Sequence, residues 1–305
     1  MAENKSKDNS VTRQQGLSTN PEQMWNDLKT AIKAGNLTDV QSLLQQWRSS
    51  STLPGPTSQD INYLVPRAAE DDGQPAILKY LLSEGGEIDT YTLGQTTSPA
   101  IFEIFLDHGW KPDTSILSSH ITHPNLVSLF LSHGVDITTP TSARGFYPLD
   151  TACAKAPVQV VKLLLSNGAP VKPDSRAMNA AAQSDLPDRI EVMELLVSYG
   201  ADINALAADY PAPSEAQRSG RNGTPLHAAA KWGNEEVKTW LLGHGADSNV
   251  RNEVGETPEE WGKRFEHDGP ERVLRIRRAI NRKTQAKKAE EEGKARMSRK
   301  VEAGV

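Results

Sequence analysis

Asn222-Gly223-Thr224-Pro225-Leu226-His227-Ala228-Ala229-Ala230 is followed by Lys231-Trp232-Gly233-Asn234 and then by Glu235-Glu236-Val237-Lys238-Thr239-Trp240-Leu241-Leu242-Gly243-His244-Gly245. Asn222-Gly223 is a tight-turn dipeptide. Thr224 offers a hydroxyl to cap a helix, and Pro225 suits the first helical position, where no backbone donor is needed. The alanines that follow are small enough for a second helix to approach closely. Gly233-Asn234 turns the chain again, and 235–243 has the apolar spacing of a short amphipathic helix. The segment reads as turn, helix, turn, helix.

Gly245 sets a phase that the chain repeats. Gly85, Gly109, Gly134, Gly168 and Gly200 also follow apolar runs. Eight residues before these six glycines stand Ile77, Ile101, Leu126, Val160, Val192 and Val237. Five before stand Tyr80, Ile104, Leu129, Leu163, Leu195 and Trp240, and four before stand Leu81, Phe105, Phe130, Leu164, Leu196 and Leu241. Three before stand Leu82, Leu106, Leu131, Leu165, Val197 and Leu242. All 24 residues are apolar or aromatic, at the i, i+3, i+4 spacing of one helix face. This places Trp240 in the core. The glycine then occupies the position just past the helix, where the chain turns left-handed and glycine alone does so without a steric penalty.

These residues resemble the ankyrin repeat. Thr224-Pro225-Leu226-His227-Ala228-Ala229 matches the family's helix start, and Val237 to Leu242 with His244-Gly245-Ala246-Asp247 matches its second helix and exit. Ser198-Tyr199-Gly200-Ala201-Asp202-Ile203-Asn204 and Ser166-Asn167-Gly168-Ala169 repeat the exit. Tyr147-Pro148-Leu149-Asp150-Thr151-Ala152-Cys153 and Thr257-Pro258-Glu259-Glu260-Trp261 are weaker copies of the start. The likeness is specific over 221–252, looser elsewhere, and covers about 21–280. It implies an all-α ankyrin-repeat solenoid of about seven to eight helix-turn-helix units with capping repeats.

The pattern departs from the family's roughly 33-residue unit in several places. Successive exit glycines are 24, 25, 34, 32 and 45 residues apart. The two short units, ending at Gly109 and Gly134, are expected to be truncated, with a very short first helix and little hairpin. The long one contains an insertion over 205–220, bearing Tyr210, Pro211 and Pro213, which should project from the hairpin edge. Asn20-Pro21-Glu22-Gln23 starts an N-terminal capping repeat whose faces are Trp25, Leu28, Ile32 and Val40, Leu43, Leu44, Trp47. Trp25 and Trp47 are expected to close this cap. Gly35-Asn36 divides its helices as Gly233-Asn234 does in the clear copy. The next unit is placed at 63–86. Val273, Ile276 and Ile280 form a C-terminal cap stripe, residues 1–20 a disordered tail, and 281–305 a charged basic tail, helical or disordered.

A chain of 305 residues that is 37% hydrophobic can bury a sizeable core. No apolar run approaches the roughly 20 residues of a membrane span, and the polar N-terminus has no apolar signal core. The single cysteine, Cys153, excludes an internal disulfide and makes a Cys-based zinc site unattractive. A cytoplasmic or nuclear monomer is expected. Residues 271–305 carry 12 Lys+Arg and 5 Asp+Glu, a net of +7, which leaves −12 of the total −5 on residues 1–270. That acidic body disfavours direct nucleic-acid binding by the repeats and prefers a basic partner.

Catalytic constellations are not found. No nucleophile elbow, P-loop or zincin helix occurs. His108, His133 and His244 each precede an exit glycine, where a ring nitrogen can bond helix-end carbonyls. The resemblance gives His227 a role in hydrogen bonding within and between repeats. His120 and His123 have the spacing of one helix face but no evident third metal ligand. Cys153, among alanines, reads as a small buried residue. The chain is therefore expected to be no enzyme and to need no cofactor or metal. The resemblance implies a protein–protein interaction scaffold or adaptor that binds its partner on the concave surface; by their position near hairpin tips and on inner helix faces, Arg144, Phe146, Tyr147, Tyr210, Arg221, Asn222, Lys231 and Trp232 are expected to make the contacts. The alternatives are a chaperone or trafficking factor for a basic, nucleic-acid-associated client, and an accessory protein or enzyme of a metabolic pathway.

Overall fold

A computed structural model describes residues 21–51, 54–141, 146–172, 176–207 and 223–266. The two tails, the stripe of Val273, Ile276 and Ile280, and the tip of the insertion lie outside these residues. The chain forms two compact units, Met1–Lys111 and Pro112–Val305. The described residues are all-α, with one isolated β-bridge between Asp71 and Thr96.

The first unit contains α1 (Pro21–Lys33), α2 (Leu37–Ser49), α3 (Ser58–Ala69), α4 (Pro75–Ser83), α5 (Thr90–Leu93) and α6 (Pro99–Asp107). Met24, Leu28 and Ile32 line the buried face of α1, and Val40, Leu44 and Trp47 that of α2. Gly35 takes φ +70° between the helices, and the Asn36 side chain accepts a bond from the Asp39 N–H to cap α2. Trp25 packs edge-on against both Trp47 and Tyr63, with ring centroids 5.2 and 5.4 Å apart, and closes the N-terminal cap as expected. The next helix starts earlier than 63: the Thr57 N–H and the Asp60 N–H bond reciprocally to the Asp60 carboxylate and the Thr57 hydroxyl. That box fixes the start of α3 at Ser58.

The second unit contains α7 (Thr114–Ser119), α8 (Pro124–Ser132), α9 (Pro148–Lys155), α10 (Val158–Ser166), α11 (Ala177–Gln183), α12 (Arg189–Ser198), α13 (Pro225–Lys231), α14 (Glu235–Gly243) and α15 (Pro258–Glu266). Odd-numbered first helices pack on their own second helices and on one another, as α9 does on α11 and α11 on α13. Each unit, taken by itself, has this stacked-pair build. The truncated repeats are confirmed: α5 has 4 residues and α7 has 6. Helices that short do not form alone. Asp89 and Asp113 cap them by accepting from Thr92 N–H and Ile116 N–H, and buried Leu93 and Leu117 hold them down.

The glycine phase is borne out at every copy. All six exit glycines have φ between +76° and +92°. Each donates its N–H back to the carbonyl three residues earlier, and the following residue bonds the carbonyl five earlier. In one copy Gly168 bonds Leu165 at 3.1 Å and Ala169 bonds Leu164 at 3.0 Å. This is the two-bond Schellman exit. In the residue before the glycine, His108, His133 and His244 each direct Nδ1–H at the carbonyl four residues back, at 2.8, 2.9 and 2.7 Å. Asn167 Nδ2 does the same to Leu163 at 2.8 Å.

Of the four apolar columns, those eight and four residues before the glycine are buried in all six repeats. The column five before is mostly half-buried, and its Trp240 is half-exposed rather than enclosed. The third member of the core is seven before: Leu78, Phe102, Val127, Val161 and Met193 are fully buried there, and Lys238 breaks the series. A Leu or Phe buried this way contributes about 1.5–3 kcal/mol.

A Cβ on Gly168 would meet nothing within 4 Å, so the left-handed backbone is the whole requirement. Gly168→Ala should lower stability in urea unfolding by about 1–2 kcal/mol. Gly168→Asn should recover part of that loss, because Asn visits this conformation more readily.

Candidate functional site

The turns that lead into the first helices share one closure. Thr141 N–H bonds Phe146 O at 2.7 Å, Ala207 N–H bonds Gly223 O at 3.3 Å, and Asn252 N–H bonds Glu256 O at 2.9 Å. Thr141, Ala207 and Asn252 each stand seven residues after an exit glycine. Each acceptor immediately precedes a first-helix cap: Tyr147, Thr224 or Thr257. Ala207 and Gly223, the described residues on either side of 208–222, thus make the same closure that the neighbouring turns make over a few residues.

Each of these first helices opens with a bond from its third position back to the cap. Asp150 accepts from the Tyr147 N–H at 2.9 Å, and Glu260 from the Thr257 N–H at 2.8 Å. In the clear copy His227 Nδ1 accepts from the Thr224 N–H at 3.1 Å, while its Nε2–H reaches the Glu256 carbonyl of the next turn at 2.9 Å. A histidine with one accepting and one donating nitrogen ties two successive turns, and it does so only when neutral. Burial lowers its pKa from 6.5, opposed by the Glu256 carbonyl and carboxylate. Asn204 makes a similar tie, donating to the Gly245 carbonyl at 3.1 Å and accepting from the Asp247 N–H at 2.8 Å.

The side chains left outside this framework are aromatic and cationic. Tyr147, half-buried, has Lys172 Nζ 4.6 Å above its ring and accepts a bond from the same amine at its hydroxyl. Phe146 carries the Arg176 guanidinium at 4.3 Å. At the other end of the first helices Trp232 is 40% exposed, and Lys231 Nζ lies 5.8 Å from its ring and 6.0 Å from that of Trp261. Four expected residues, Phe146, Tyr147, Lys231 and Trp232, thus lie on the turn and first-helix side. Arg144, Tyr210, Arg221 and Asn222 lie outside the described residues. Lys172, Arg176 and exposed Lys155 on α9 were not anticipated; the signal available was that each flanks a first helix.

Comparison with known proteins matches residues 116–207 to the family model of ankyrin repeats in three copies, and residues 222–253 to that of the single ankyrin repeat. Residues 116–207 and 222–253 are ankyrin repeats. The chain's relatives include the ankyrin repeat protein nuc-2 of Neurospora crassa, 27% identical over 191 residues, which cover 61% of this chain and 16% of that protein. Protein phosphatase 1 regulatory subunit 27 of Homo sapiens and of Mus musculus is 32% identical over 81 residues, which cover 27% of this chain and 45% of each relative. The chain thus spans less than half the length of these relatives. Ankyrin repeats as a rule mediate protein–protein interaction.

The residues inspected for catalysis serve the ankyrin framework. His120 ends α7 and His123 begins α8, so a turn separates them and they share no helix face. His120 is buried, and its Nδ1 lies 3.1 Å from the Ile116 carbonyl. Among the described residues no group of three or more His, Cys, Asp or Glu could hold a metal ion. No helix among them is long and apolar enough to cross a membrane. A shallow hollow of about 500 Å³ lies on the second-helix side between Ile190, Glu235, Glu236, Thr239 and Trp240. Cys153 is buried, and desolvation, reinforced by the Asp150 carboxylate, raises its thiol pKa far out of the reactive range.

Two predictions follow from these environments. A lowered folded-state pKa means that the unfolded chain binds the proton first. The His227 contribution is therefore fully present above pH 6.5 and is lost as pH falls through the folded value. The stability gap between the native chain and His227→Gln should narrow steadily in urea melts from pH 7.5 to 5. Cys153 should resist iodoacetamide at pH 8 in the folded protein and react stoichiometrically in urea, as read by intact mass.

Proposed function

We propose that the chain is a non-catalytic adaptor that holds a protein partner on the surface formed by the repeat turns and first helices of residues 112–266. One observation carries this reading. Phe146, Tyr147, Lys231 and Trp232 stand apart from the columns that build the core, and three of them are large aromatics. Aromatic side chains of this kind anchor protein interfaces, and keeping them at a surface is otherwise unfavourable. The likeness to a phosphatase regulatory subunit supports an adaptor role over a catalytic one. In the same reading Arg144, Tyr210, Arg221 and Asn222 belong to this surface, because their positions in sequence fall in the turns that border it. The assignment of the six described histidines and Cys153 to caps, ties and core supports the absence of a reaction centre.

Tyr147→Ala keeps the backbone N–H that Asp150 holds, and Trp232→Ala removes a ring from the end of α13, so neither opens the core. Cross-linked affinity purification of the full chain should recover its bound protein at least fivefold less well with the double variant. The melting temperature should move by about 2 °C or less. A larger fall would assign both residues to packing, and unchanged recovery would place the partner elsewhere.

A further inference from the structure

Over α9 to α14 the helix charges are segregated by face, against the chain's net charge; beyond them Asp185 follows α11 and α15 carries Glu259 and Glu260 beside Lys263 and Arg264. The first helices α9 (PLDTACAK), α11 (AMNAAAQ) and α13 (PLHAAAK) contain a single acid, Asp150, which is buried and committed to the Tyr147 N–H. Their cations are Lys155 and Lys231 at the C-terminal ends, with Arg176 at the cap of α11 and Lys172 beside Tyr147. The second helices α10, α12 and α14 hold Glu191, Glu194, Glu235 and Glu236. Their cations are spent on acids of that side: Lys162 on Glu191 at 2.6 Å, Arg189 on Glu236 at 2.5 Å and Lys238 on Glu235 at 2.9 Å. The exposed loop acids Asp136, Asp202 and Asp247 each stand two residues after an exit glycine, at the ends of second helices.

We infer that the α9–α11–α13 face receives an acidic, extended segment of a protein, lying between the cation–aromatic pairs at the two ends of these helices. This rests on the adaptor reading and adds the chemistry of the partner. An arginine or lysine on a ring keeps its charge and presents it in a fixed place, so a carboxylate meets a preorganised cation. Between the two ends Ala154 and Gln183 are exposed and Thr151, Ala180 and Ala230 are half-buried, and all but Gln183 are small. A backbone can lie close there. A polyanion with a charge on every unit is a poorer fit, since residues 1–270 carry a net −12. A short acidic segment meets only the local field, because charges beyond about 8 Å are screened at physiological salt.

The test is selection of a random 16-residue peptide display library on the full chain, on Lys155→Glu/Arg176→Glu/Lys231→Glu, and on a second-helix control, Glu194→Lys. The basic C-terminal segment is present in all three, so it cannot produce a difference among them. Peptides selected on the native chain should be enriched in Asp and Glu. The triple variant should lose that enrichment or invert it, the control should keep it, and representative peptides should bind at least tenfold more weakly at 500 mM than at 50 mM NaCl. Enrichment of Lys and Arg, enrichment indifferent to the triple variant, or a single-stranded oligonucleotide outcompeting the selected peptides on this face would overturn the inference. So would failure to select any sequence. The adaptor reading fails separately, when the Tyr147→Ala/Trp232→Ala chain recovers its cellular partner as well as the native chain does.

Discussion

Six second helices, α4, α6, α8, α10, α12 and α14, end in a left-handed glycine, and their repeats depend on it; α2 of the N-terminal cap ends instead at an extended Ser50. The exit glycine reverses the chain within two residues and satisfies two helix-end carbonyls with the next two N–H groups. Because the reversal occurs at a constant distance from the buried columns, the turn that follows always begins at the same depth beside the core. The closures at Thr141, Ala207 and Asn252, all seven residues after a glycine, show the consequence. The repeat with the 45-residue spacing keeps that closure, between Ala207 and Gly223. The 24- and 25-residue repeats shorten the first helix and keep the exit intact.

The starts of α9, α13 and α15 tolerate more chemistry, because what they share is one acceptor three residues past the cap, whereas α5 and α7 use an aspartate at the cap itself. Histidine, aspartate and glutamate all supply it, at His227, Asp150 and Glu260. Histidine, unlike the two carboxylates, also carries a donor on the far side of its ring and bonds the Glu256 carbonyl of the next turn, as Asn179 Nδ2 bonds the Gly223 carbonyl from α11. The motif that is strongest in sequence is thus the one with two bonds to lose, and its integrity depends on a neutral ring. Carboxylates cap without that dependence but leave the neighbouring turn to other ties. Of these, Asn204 in the preceding exit loop is an example.

Much of this was legible in the residue order. The glycine phase, the truncated repeats, the His and Asn helix ends and the Trp25–Trp47 closure all follow from local rules that act within a few residues. The core column seven residues before the glycine was not legible, because Lys238 breaks it in the very copy that identifies the pattern. Trp240 is half-buried rather than enclosed for a related reason: its column lies at the edge of the buried face, where its ring stacks on His244 at 4.0 Å. His120 and His123 fooled the helical spacing because α7 ends between them. The start of α3 was missed because Thr57 and Asp60 form their box without a proline behind the cap.

The cationic side of the surface was hidden for a different reason, which concerns what a net charge describes. A sum over residues 1–270 counts acids wherever they lie, those on second helices and exit loops included, several of them already paired. A partner meets only one face, at a range of about one Debye length. On the first-helix side, Lys172 and Arg176 lie over rings contributed by the preceding turn, Tyr147 and Phe146. Those pairings join residues 25 and 30 positions apart in sequence, so no local window shows them. The repeat spacing creates them: it sets the turn before one first helix beside the turn before the next, and a ring in one becomes the platform for a cation in the other. The same stacking that buries the apolar columns therefore also sorts the charges, and the face that a partner would meet differs in sign from the chain as a whole.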